Sequence, residues 1–253
     1  GTDLDIPSGS TLNISGANTI GIAFGTGSQT ANIAGTLTYS GSGPTITLNL
    51  TNCVATVTGT INLSTTTNAV TLTGVSATSL LMNAGSTMNI TTLQTIIPLA
   101  TWAASSNINF SGTGTSFTNN AQTFGNFTYN SSAISATLNF WGATSTGVIQ
   151  GNLNIQQTGT GSGRFRLLST GTLVVNGNIN ITNSVNVTAV DLMNAAASLT
   201  VGGNVNVQNG STCNFANGAG TISIAGSVTI SNTAAVNFGN AAGANTTTIS
   251  GDL

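Results

Sequence analysis

GNLNIQQTGTGSGRFRLLSTGTLVVNGNINI, residues 151–181, contains one full period of this chain. The stretch opens on Gly-Asn followed by alternating apolar and polar residues, and the same motif returns 26 residues later. Moving outward, the motif recurs as GNFTY from Gly125, GNVNV from Gly203, GSVTI from Gly226 and GDL from Gly251. Toward the N-terminus it reads GSTLNI from Gly9, GTLTY from Gly35, GTINL from Gly59 and GSTMNI from Gly85. The spacings are 26, 24 and 26 in the first half, then 26, 26, 26, 23 and 25 in the second. A fixed period of this size is the signature of a repeat architecture, in which each unit buries its apolar face on its neighbours.

The apolar residues alternate with a period of two rather than 3.6, and β-branched residues dominate them, so the units read as strands. Gly, Ser and Asn turns divide each unit into three short strands. In residues 151–176 these are Asn152–Gln156, Arg164–Leu168 and Thr172–Val175. The expected fold is all-β: a three-sided parallel β-solenoid with coils of about 23–26 residues, right-handed by the general rule for parallel crossovers. Register follows from the motif. Phe127, Leu153, Ile179, Val205 and Val228 should stack inward, as should Tyr129, Ile155, Ile181, Val207 and Ile230. Ile149, Val175, Val201, Ile224 and Ile249 should line another wall, and Asn154, Asn180 and Asn206 an outward column. In the first half Leu12, Leu37, Ile61 and Met88 should face in, and Asn13, Thr38, Asn62 and Asn89 out.

The beat breaks once, between Gly85 and Gly125. The chain therefore divides into coils at 1–110, an irregular coil or loop at 111–124, and coils at 125–253, expected to form one continuous stack. Both ends fall inside a repeat, so the chain reads as an excerpt of a longer stack whose first partner is the rest of its own chain.

Composition restricts the chemistry. Among 253 residues only Asp3, Asp5, Arg164, Arg166, Asp191 and Asp252 are charged, and there is no His. Phosphate binding needs clustered Lys and Arg, so no nucleic-acid partner is expected. No apolar run reaches the ~18 residues of a spanning helix. Imidazole-based triads and metal sites are excluded, and the four carboxylates are too scattered for a glycosidase pair or a calcium cluster. No cofactor and no enzymatic activity are expected. Asp3 and Asp5 share a strand face and read as solvated terminal residues in preference to a weak cation site. Cys53 and Cys213 lie six or seven repeats apart, roughly 30 Å at the ~4.8 Å strand spacing, too far for a disulfide.

Four residues are candidates for a site. Phe165 and Leu167 should point inward, which turns Arg164 and Arg166 outward. Matching them to inward Val190 and Leu192 places outward Asp191 beside Arg166, as an exposed inter-coil ion pair or part of a ligand patch. Trp141 and Arg164 are candidate surface contacts, since an exposed aromatic such as Trp141 or Trp102 stacks on sugar rings; buried packing is the commoner role.

The run GNLNI…GTLVVNGNINI…GNVNVQNGST…GTISIAGSVTI resembles the β-strand-repeat regions of very large secreted bacterial surface proteins. It looks most like Bacteroidota proteins exported by the type IX system, and in style like filamentous-haemagglutinin and autotransporter passengers. The resemblance implies a secreted or cell-surface location and a structural rod of an adhesin or surface filament, holding other domains away from the cell. Host or matrix glycans and secretion-system proteins are the partners it implies. A glycan- or ice-binding module is the alternative, as is a secretion cargo held by its machinery. Ice binding would want one flat face with near-invariant Thr columns, whereas the columns here mix Asn, Thr and Ser, which counts against it.

Overall fold

A computed structural model describes the chain except residues 1–2, 66–67, 92–95, 113–116, 132–136, 142–145, 159–164, 183–188, 195 and 240–244. Every strand pairing in it is parallel and joins a strand to one about a coil away in sequence. The described residues contain strands and turns and no helix, so the chain is an all-β parallel solenoid. Contacts divide it into two compact units, Gly1–Gly114 and Thr115–Leu253.

In the first unit, strands Leu4–Ile6, Gln29–Ile33, Cys53–Val57, Leu80–Met82 and Thr101–Trp102 form one sheet. Thr11–Ile14, Thr36–Tyr39, Thr60–Leu63, Thr87–Ile90 and Asn107–Phe110 form a second. Ile20–Ile22, Ile46–Asn49 and Val70–Thr73 form a third. In the inward column Leu12 of the first coil is only half-buried, while Leu37, Ile61, Met88 and Ile108 are fully buried. The last member reveals a coil that the Gly motif does not mark. Asn107 pairs with Thr87 only 20 residues before it, and Ser105-Ser106 stands where other coils carry Gly-Ser or Gly-Thr, which hides the coil from the Gly motif. The 40-residue gap between Gly85 and Gly125 is therefore partly filled by this short coil. Its closing strand ends at Phe110, and Thr123–Phe124 at the far side of the gap is itself a strand, paired with Val148 and Ile149.

The second unit also holds three parallel sheets. Asn126–Ser131, Leu153–Thr158, Ile179–Ile181, Val205–Val207 and Val228–Ile230 carry the Gly-Asn motif. Leu138–Trp141, Phe165–Leu168, Val190–Met193, Thr212–Ala216 and Ala235–Asn237 make the second. Thr123–Phe124, Thr146–Ile149, Gly171–Val175, Ala197–Val201, Gly220–Ile224 and Asn245–Ile249 make the third. Phe127, Leu153, Ile179 and Val205 stack in register with at most 1 % exposure. Burial of these columns is the main stabilising term, at ~25 cal/mol per Å² of apolar surface.

The corner before each Asn strand explains the Gly beat. The Gly177 amide donates to Gly151 O at 3.0 Å, and the Gly203 amide to Gly177 O at 3.0 Å. A Cβ on Gly177 would lie 2.5 Å from Gly151 O and 2.6 Å from Asn152 Oδ1. Close approach, not positive φ, is what fixes glycine there. The Asn that follows contributes a hydrogen bond, in which its Oδ1 accepts the main-chain amide of the equivalent residue one coil on. These bonds run from Asn152 to Asn126, Asn178 to Asn152 and Asn204 to Asn178, at 2.7 to 2.9 Å. Gly and Asn thus act as a pair, the first admitting the next backbone and the second satisfying it.

Candidate functional site

Two charged residues of the second unit, Arg166 and Asp191, sit in the sheet of Phe165–Leu168 and Val190–Met193. Arg166 pairs in register with Asp191, and Asp191 with Asn214. Arg166 Nε lies 3.7 Å from Asp191 Oδ2, a charge contact rather than a hydrogen bond, since Nε itself has no hydrogen-bond partner. Asn214 donates to Asp191 Oδ1 at 2.7 Å, and Asn237 donates to Asn214 Oδ1 at 2.8 Å. Asn217 Nδ2 reaches Asp191 Oδ2 at 3.4 Å. The pairing expected from register is present, but its environment differs from the expected exposed pair: Asp191 is 0 % exposed and Asn214 2 %, against 28 % for the Arg166 side chain. All four residues of Val190–Met193 are buried, so the outward side of this strand is covered. A buried carboxylate needs a counter-charge and donors. Arg166, Asn214 and Asn217 supply them. Arg164 lies outside the described residues.

Trp141 is not a surface contact. It is 0 % exposed, and Trp102 is 4 % exposed, so neither offers a face to a sugar. Trp141 continues the apolar run after inward Phe140 and heads a column with Leu168, Met193 and Ala216, all buried. Its indole packs where Gly147 stands, at a position that Leu173, Leu199 and Ile222 fill in the following coils. Glycine there makes room for the ring. The indole N–H donates to Asn120 O at 3.0 Å, and Asn120 Nδ2 donates to Phe140 O at 2.7 Å. Phe117, Phe124, Phe127, Tyr129, Phe140 and Phe165 complete the cluster, with successive ring centroids 4.7 to 6.3 Å apart.

Several other polar groups bond from coil to coil. Asp3 Oδ2 accepts the Thr30 amide and Asp5 Oδ1 accepts Asn32 Nδ2, so this acidic pair ties one coil to the next. Asn62, Asn89 and Asn109 form a side-chain ladder at 2.8 to 3.0 Å that starts on Thr38. Asn180 and Asn206 extend one from Asn154 at 2.8 Å. Cys53 and Cys213 are free and buried. Burial, then the nearby Asp191 charge, pushes the Cys213 thiol well above its usual range; burial and Asp3 raise Cys53. Both therefore stay as inert thiols rather than nucleophilic thiolates.

Among the described residues no three His, Cys, Asp or Glu side chains converge as a metal site. A shallow groove of about 520 Å³ in the first unit, lined by Ser28, Gln29, Asn52, Cys53, Val54 and Thr78 among others, carries no charge. Among the described residues no helix is long and apolar enough to cross a membrane. The stacked parallel ladders define the class, a parallel β-solenoid. No protein-family profile, curated protein or solved structure matches the chain.

Proposed function

We propose that the chain is a non-catalytic structural segment of a secreted or cell-surface protein, an adhesin or surface filament, in which it spaces or presents other domains. One observation carries the reading: the distinctive polar groups are spent on holding coil to coil. The Asn ladders, the Asp3 and Asp5 contacts and the Asp191 network all bond along the stack. Each coil stabilises its neighbours, so the segment can be lengthened without changing its chemistry. The near-absence of charge in a chain rich in Thr, Asn and Ser, and the resemblance of its Gly-Asn motifs to secreted surface repeats, support the location.

Antibody raised against the folded chain tests the location. It should label intact source cells and lose that label after brief protease shaving of the surface. Labelling that appears only after permeabilisation contradicts the reading.

A further inference from the structure

The third sheet of the second unit presents an outward face of different chemistry from the Asn ladders. Thr146, Thr172, Ser198, Thr221 and Thr246 stand in register along the stack, one per coil. Two residues on, Thr200, Ser223 and Thr248 continue a second column that begins with Val148 and Val174. All are half-exposed or exposed, while Leu173, Leu199 and Ile222 between them face the core. The neighbouring Asn column bonds along itself, Asn180 donating to Asn154 and Asn206 to Asn180, each at 2.8 Å. The eight hydroxyls do not: none makes a hydrogen bond to any group among the described residues. Each remains both donor and acceptor toward solvent.

Their arrangement is a two-dimensional grid, with a repeat of about 4.8 Å along the stack and about 7 Å along the strand. Threonine is stiff at χ1, so its hydroxyl and methyl are held in place before anything binds. Valine, which opens the second column, has the same branched shape. None of the six charged residues of the chain falls in these strands, so no ion imposes its own hydration shell on the face. A glycan site would use exposed aromatic rings for stacking, and both tryptophans are buried. An uncharged, in-register array of hydroxyls and methyls is complementary to a partner that is itself a regular array of hydrogen-bond donors and acceptors.

We propose that this face binds an ordered water lattice, the surface of ice, through many individually weak contacts that act together. The inference rests on the free hydroxyl grid and not on the spacer reading.

The test uses the full 253-residue chain, measured for thermal hysteresis and for partition of the fluorescently labelled protein into a slowly grown ice hemisphere. The wild-type protein should enter the ice and show hysteresis. Thr221→Tyr and Thr200→Lys, which raise a ring or a charge above the grid, should each lose most of both effects while keeping the far-UV circular dichroism of the parent. Val54→Lys, at a 41 % exposed position of the first unit, should retain them. If one face variant fails to fold, the other decides. A wild-type protein excluded from ice, or face variants that partition like the parent, overturns the proposal. So does retention on crystalline cellulose or chitin without hysteresis, which would assign the grid to a polysaccharide surface.

Discussion

At the scale of single residues, Asp191 is the most demanding group in the chain. It is fully buried and depends on Arg166, Asn214 and Asn217. Arg166→Ala removes the counter-charge and should destabilise the second unit by about 1–3 kcal/mol. Asp191→Asn instead turns the site into another asparagine rung, like Asn180, and should cost about 1 kcal/mol or less. Urea unfolding of the two variants checks the ordering, and the reverse order contradicts it. Cys213 sets an alkaline limit. Its thiol is held protonated in the fold while the unfolded chain ionises near its ordinary value of 9.0. Above that value the unfolded state binds fewer protons than the native state, so stability falls as pH rises, by about 1.4 kcal/mol per pH unit for one group. Tyr39 and Tyr129, whose hydroxyls burial also holds protonated, add to the loss above their ordinary value of 10.0. Unfolding midpoints should drop above about pH 9, and Cys213→Ala should delay the drop. A midpoint unchanged well into the alkaline range would contradict the burial of all three groups.

At the scale of strands and corners, the Gly-Asn pair decides the geometry. Gly177→Ala places a methyl against Gly151 O and Asn152 Oδ1 and should cost about 1–3 kcal/mol, through displacement of the next coil and loss of its amide bond to Asn152. Gly85→Ala is a contrasting case: that glycine has φ +78° and open space around its missing Cβ. Its penalty is backbone strain of about 1 kcal/mol with no steric clash. Thermal melts of the two variants separate these causes. The corners also show why the columns through Leu153, Ile179 and Val205 are legible in the sequence. A Gly anchors each strand and a strict alternation follows it. Asn107–Phe110 is not legible in the same way, since serine replaces the anchoring glycine and the coil is 20 residues long. Alternation misplaces Trp141 and Asp191 for a related reason. It assigns an outward side to every second residue, but it does not say whether that side meets solvent. The vacancy at Gly147, aligned with Leu173 and Leu199, is the one sequence signal that places Trp141 inside. The hydroxyl grid is legible in principle, because Ile149, Val175 and Val201 fix its register, yet its outward columns lie before the Gly motif rather than after it.

At the scale of the whole molecule, the coil is the unit of structure. Within each unit, inward and outward columns continue from coil to coil, and the described polar ladders join equivalent residues of successive coils. Stability should then be a sum over coils and the interfaces between them, with no residue indispensable to a single central core. Removal of one exact coil, residues 35–58, tests this most directly. It joins Ala34 to Gly59, sets Ile61 beside Leu12, Val70 beside Ile20 and Leu80 beside Ala31, and leaves the Asn62 ladder beside Asn13. Removal of residues 35–46 alone is the control, since it shifts the following strands onto the wrong sheets. The measurement is far-UV circular dichroism with thermal unfolding. The 35–58 deletion should keep the β signal per residue and a cooperative transition near that of the parent, while the 35–46 deletion should lose the fold of the first unit. Loss of structure in the 35–58 deletion, or equal tolerance of both, would contradict a stack of interchangeable coils.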